Sequence, residues 1–113
     1  MNYDEPFGCS VTVTLNVIGG RWKPIILFNL LENEKCRFNA LKRMINGITQ
    51  RMLTMQLKEL VDDGVISREV LEVVPPHVEY SLTEYGKTLT PLLLQMRDWG
   101  AYHAQRSEAA AAD

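Results

Sequence analysis

Residues 49 to 58 read TQRMLTMQLK. The stretch carries the hydroxyls of Thr49 and Thr54, the amides of Gln50 and Gln56, the guanidinium of Arg51 and the ammonium of Lys58, and no carboxylate. Every one of these groups can donate a hydrogen bond, and none repels an anion. That chemistry suits recognition of base edges and phosphates. Catalytic chemistry finds no foothold: there is no P-loop, no HExxH and no nucleophile elbow. Cys9, Cys36, His77 and His103 are not at zinc-site spacings, so no metal or cofactor is expected. A thiol enzyme would want a base beside Cys9, and neither histidine is near it in sequence. The chain is expected not to be an enzyme.

If the stretch is a helix, 100° per residue puts Leu53, Leu57, Leu60 and Val61 on one face. Arg51, Thr54, Met55 and Lys58 then lie opposite. Thr49 is the expected N-cap, with Ile48 and Leu53 spaced as a hydrophobic staple and Gly64 in the C′ position. Glu59, Asp62 and Asp63 come at the C-terminal end, where they oppose the helix dipole. They are therefore not there for helix stability.

The charge distribution extends the pattern. The chain has 113 residues and a net charge of −2. Residues 21 to 58 hold Arg21, Lys23, Lys35, Arg37, Lys42, Arg43, Arg51 and Lys58 against only Glu32 and Glu34. A basic segment on an acidic remainder suggests a basic face on an acidic body. Bases and acids solvating different surfaces would give the same separation. The length fits one domain, and 46% hydrophobic residues can build a core, although a partner subunit would help a chain this short. No apolar run is long enough to span a membrane, and MNYDEPFGCS has neither the basic nor the apolar region of a secretory signal. A cytoplasmic location with both cysteines reduced is the default expectation.

Elements that could position such a face follow from local patterns. VTVTLNV, from Val11 to Val17, alternates and is β-branched like a strand, yet Val11, Leu15 and Ile18 fit a helix equally well. After Gly19-Gly20, KPIILFNLLEN reads as a buried helix with Pro24 in its first turn. Asn39 is the expected N-cap of a short helix turning Leu41 and Ile45 inward, with Lys42 and Arg43 exposed, and Asn46-Gly47 is a turn. Beyond the TQRMLTMQLK helix, VISREVLEV and HVEYSLT alternate as two strands around Pro75-Pro76. Thr83 should open a last long helix towards Arg106, kinked at Pro91 and carrying Leu89, Leu92, Leu93, Met96 and Trp99. EAAAAD at the end is assigned no function.

Four helices, a two-stranded hairpin and a helix form the order of a winged helix-turn-helix, a mainly α fold with a small β-hairpin. In that fold Gln50 and Arg51 occupy the end of the helix that enters the major groove, and first-turn N–H groups add phosphate affinity. Thr49, Thr54 and Lys58 stand beside them. Arg37 and Asn39 on the preceding helix are phosphate candidates, as are Arg68 and His77 on the wing. Arg21 and Lys23 are weaker candidates that could simply pair with acids.

The chain resembles the HxlR-type transcriptional regulators, close to the MarR-like winged helices. The resemblance rests on Cys9 ahead of VIGGRWK, then RFNAL, GITQRMLTMQLKELVDDGVISR, VPPHVEYSLTEYG and Trp99-Gly100. It runs from Cys9 to about Tyr102. Arg21 stands where the family usually has Lys, Asn46-Gly47 replaces the common Pro-Gly, and Cys36 is less typical than Cys9. The resemblance implies a helix from Val11 to Ile18, and it implies a homodimer built by the first and last helices. Val11, Leu15, Leu92, Met96 and Trp99 are the interface candidates, and the excess of apolar residues on the last helix points the same way. Two recognition helices related by a two-fold axis imply binding of double-stranded DNA at an inverted-repeat operator, with repression the family default.

Some members of this family sense electrophiles or oxidants through a cysteine at the position of Cys9. A thiol just ahead of a helix start suits that role, while a small buried hydrophobe is the alternative. One winged helix-turn-helix domain over 1–113 is expected, with an ordered core of 7–106 and a tail of 107–113. The competing function is a winged-helix protein-interaction module without DNA binding, which would be expected to carry acids on the recognition face.

Overall fold

The computed structural model describes residues 8–112. Residues 1–7, including the residue 7 boundary of the expected core, and Asp113 lie outside the described residues. The elements run α1 (Ser10–Ile18), α2 (Trp22–Asn33), β1 (Lys35–Arg37), α3 (Phe38–Met44), α4 (Gln50–Asp62), β2 (Ile66–Leu71) and β3 (His77–Leu82). A 3-10 turn, Gly86–Leu89, leads into α5 (Thr90–Ala112).

The ambiguous VTVTLNV segment is helical. Helical spacing sends Ile18 into the core and lays Val13 and Val17 along Val65, Tyr85 and Leu89. Val11 and Leu15 are left exposed together. Strand alternation would instead have put Val11, Val13, Leu15 and Val17 together on one face with Ile18 on the other, so packing overrides β propensity. The helix stops where the Gly19 amide reaches back to the Leu15 carbonyl at 2.7 Å. A Cβ at position 19 would run into that same carbonyl, which is why glycine stands there.

In α2, Pro24 occupies the first turn, where no helical N–H is lost. Ile26, Leu27 and Leu30 are fully buried. They meet Leu41 of α3 and Leu53, Leu57 and Leu60 of α4 in one core. Each such side chain contributes about 1.5–3 kcal/mol by leaving water.

The sheet has three strands in the order β1-β3-β2, all neighbours antiparallel. β1 was not expected from the sequence. Three residues are too short to show alternation, and their pairing partner lies more than forty positions away, with Cys36 opposite Tyr80. The hairpin itself is as expected, with Ile66 opposite Leu82 and Leu71 opposite His77.

Two expectations are corrected. Asn39 is not the N-cap of α3: that position is Arg37, with no side-chain cap bond, and Asn39 is the second helical residue. The last helix does not begin at Thr83, and its proline is not in its interior. Thr83 instead accepts the Gly86 N–H at 2.9 Å at the head of the 3-10 turn, and α5 starts at Thr90. Pro91 is therefore the second residue of α5, where its missing N–H costs little. The helix continues past Arg106 to Ala112.

Candidate nucleic-acid interface

The recognition surface begins with the way α4 is capped. Thr49 is extended, with φ −83 and ψ 158, and its hydroxyl accepts the Met52 N–H at 3.1 Å. This satisfies one of the unpaired donors of the first turn. Ile48 and Leu53, on either side of the cap, are both buried. At the other end, Gly64 donates to the Val61 carbonyl at 2.9 Å and Val65 to the Leu60 carbonyl at 3.2 Å. These two bonds make a Schellman motif, which needs the φ of +77 that Gly64 supplies.

Between the caps α4 has two unlike sides. Leu53, Leu57 and Leu60 are within 1% of full burial. Gln50, Arg51, Thr54, Met55 and Lys58 line one shallow exposed surface opposite them. Thr54 turns its hydroxyl back to the Gln50 carbonyl at 2.8 Å, which leaves its methyl and a lone pair outward. The acids lie clear of the leading half of this surface. Glu59, half-exposed, reaches Lys23 3.2 Å away, and Asp62 pairs with Lys58 at 3.1 Å. Both Lys58 and Asp62 are well exposed, so the pair is weak and Lys58 can exchange it for a phosphate.

A second concavity joins α3 to the wing. Arg37, Phe38, Asn39, Ala40, Arg43, His77 and Val78 line it. Three expected residues, Arg37, Asn39 and His77, thus come together. Arg43, which sequence reasoning left aside, joins them, because it lies four residues after Asn39 on the same helix face. That spacing was the available signal. Met55 was likewise read as exposed and given no role, although it sits in the middle of the α4 surface.

Arg68 is placed apart from this group. It stands opposite Tyr80, whereas His77 shares the other sheet face with Glu79, which stands opposite Arg37 and Glu69. His77 lies 3.7 Å from the Glu79 carboxylate. The wing face beside His77 is therefore mixed in charge, and the unmixed donors are those of α3 and α4.

The two cysteines differ. Cys9 is the N-cap residue of α1 and is half-buried. Cys36 is buried in β1, and desolvation pushes its thiol above the ordinary value, so it stays protonated at neutral pH. Among the described residues no group of three or more His, Cys, Asp or Glu could hold a metal ion, and no helix is long and apolar enough to cross a membrane.

The family model described as HxlR-like helix-turn-helix matches residues 17–108. The chain belongs to the HxlR-like helix-turn-helix family. Among its HxlR-like relatives, it is 54% identical over 103 residues to a protein of Bacillus subtilis (strain 168) described as the uncharacterized HTH-type transcriptional regulator YdeP. That match covers 91% of this chain and 80% of the relative. Among solved structures it is similar to the redox regulator HypR in its reduced form, with 50% identity, 89% of this chain and 99% of that chain covered, and a TM-score of 0.82. The oxidized form of HypR aligns at 54% identity and a TM-score of 0.80, over 83% of this chain and 96% of that one. Its neighbours also include a regulator of the MarR family from Enterococcus faecalis V583, at 37% identity and a TM-score of 0.74, covering 88% of this chain and 90% of that chain. This HxlR-like chain is a transcriptional regulator with a winged helix-turn-helix DNA-binding fold.

Proposed function

We propose that the protein is a homodimeric, sequence-specific repressor that works in the cytoplasm and binds an inverted-repeat operator. The observation that carries the reading is the surface of α4, where Gln50, Arg51, Thr54, Met55 and Lys58 are outward on a helix whose other side is leucine in the core. Arg51 is suited to a bidentate contact with guanine, Gln50 to adenine, and Met55 to the thymine methyl. Thr49 and the α4 amide ends, with Arg37, Asn39 and Arg43, hold phosphates and set the register. Arg68 and His77 give the wing lesser contacts along the backbone.

The dimer reading rests on exposed apolar groups at both ends of the chain. Val11 and Leu15 on α1 and Met96, Trp99 and Tyr102 on α5 are all more than 40% exposed, and Leu92 is 38% exposed. Apolar exposure on that scale fits an interface better than a solvated surface. A two-fold pair would bring two α4 helices to successive major grooves about 34 Å apart.

A second reading adds a signal. Cys9 caps α1, the helix that carries Val11 and Leu15, and the similar HypR is described in reduced and oxidized forms. Oxidation of the Cys9 thiol by a peroxide would give a sulfenic acid, which a thiol of the second protomer would turn into an intersubunit disulfide with loss of water. Either product alters the dimer contact and with it the half-site spacing.

Selection of random duplexes on the reduced protein tests the main reading. An enriched inverted repeat is the expected result. No enrichment at low salt would overturn it and leave a winged-helix module that binds protein.

A further inference from the structure

Lys23 is the one buried charged residue among the described residues, and it lies off the DNA face. It stands in the first turn of α2, is 7% exposed, and holds Glu59 of α4 at 3.2 Å. Burial of an ammonium in a core costs more than burial of an apolar side chain of the same length, and pairing seldom returns the whole difference. Stability alone would therefore not select this pair over two neutral side chains. The pair supplies direction instead. The inner side of α4 is Leu53, Leu57 and Leu60, and aliphatic contacts of that kind constrain rotation and axial sliding only through packing. The hydrogen bond from Lys23 to the half-exposed Glu59 carboxylate, 3.2 Å long, adds a directional contact that packing alone does not.

The neighbouring residue adds a second constraint. The Trp22 ring reaches within 3.9 Å of where a side chain at Gly47 would begin, in the turn that leads into α4. The Arg21 guanidinium lies 4.8 Å over the centre of that ring. Consecutive residues of α2 thus touch the approach to α4 and, through Glu59, its third turn.

We propose that Lys23 is a positioning residue for DNA recognition, which together with Trp22 fixes the rotation and axial setting of α4 so that Gln50 and Arg51 meet base edges in one register. The proposal rests on the DNA reading above. It also accounts for Glu59: the carboxylate stands near the C-terminal end of α4, against the helix dipole, because α2 needs a partner there.

The test compares the full-length protein with K23M and with K23M/E59Q, in which both charges are gone. Three quantities are read: thermal stability, hydrogen exchange of the α4 amides, and affinity for the selected operator against random duplex. In K23M the α4 amides should exchange faster while those of β3 do not. Operator affinity should fall about tenfold with random-duplex affinity unchanged. In K23M/E59Q stability should return towards that of the parent while operator preference stays lost. Operator preference that is intact in folded K23M, or that returns together with stability in the double variant, would overturn the proposal. If the parent protein itself prefers no duplex, the exchange measurement decides alone. Faster exchange confined to α4 then keeps Lys23 as the residue that sets this helix and removes only the DNA reading, whereas unchanged exchange removes both.

Discussion

Thr83 donates its hydroxyl to the Gly64 carbonyl over 2.7 Å, and so ties the end of the recognition helix to the start of the C-terminal segment. The same oxygen accepts the Gly86 N–H at 2.9 Å. Replacement by valine keeps the shape and removes both bonds. At about 0.5–1.5 kcal/mol for each bond, T83V should lose about 1–3 kcal/mol in a denaturant titration, with the m-value unchanged. T83S should retain most of the stability. Equal losses in the two variants would mean that the methyl group matters and the tie does not.

Arg51 and Arg43 should fail in different ways. R51A is expected to lose about 1–3 kcal/mol on the selected operator and to relax preference at one base position. R43A should weaken binding evenly across sequences and make the dependence on log salt shallower by about one unit. Fluorescence anisotropy at several salt concentrations separates the two. A sequence-dependent effect of R43A would move it from the phosphates to the bases.

The thiols should react at different rates. Cys9 is half-buried at a helix cap, whereas Cys36 is buried and its thiol is pushed up by desolvation. Iodoacetamide at neutral pH should therefore label Cys9 first, as mass spectrometry of digests would show. The raised Cys36 value has a sign for stability. The folded protein keeps that proton while the unfolded chain gives it up, so stability should decline as pH rises from about 8.5. C36A should remove that part of the decline, and peroxide should still release DNA from it, while C9S should resist release.

Leu15 is 58% exposed on α1, and a charge there should do little to the fold of one protomer. L15E is expected to shift the protein to monomer in sedimentation velocity and to lower operator affinity far more than random-duplex affinity. A dimeric L15E with normal binding would place the interface elsewhere.

Local spacing carried α4 well. The Thr49 cap, the leucine side and the glycine stop are consequences of residues within one or two turns of each other, and those signals survive in a linear reading. What failed depended on distance or on competition. β1 exists because Cys36 finds Tyr80 across the sheet, and three residues cannot announce such a partner. VTVTLNV satisfies two periodicities; the family resemblance implies the helix that forms, and the space beside Val65 and Leu89 is the physical reason that local pattern could not supply. In the linear sequence Pro91 reads as interior because Thr83 resembles a helix start, although the Thr83 hydroxyl belongs to the 3-10 turn. Of the candidate interface, the exposure of the α4 donors is legible from helical spacing. Arg43 was not singled out because an exposed arginine on a short helix acquires meaning only when Arg37 and His77 are seen beside it.

The short link from Asp62 to Ile66 has a wider consequence. With the Schellman turn at Gly64 and the bond from Thr83, the recognition helix and the wing behave as the two jaws of a locked caliper. In the proposed dimer on its operator, one protomer would then present a fixed footprint to the duplex. A change in the distance between half-sites would arise where the two protomers meet, so a signal that releases DNA would act on the hinge between calipers and not on their jaws.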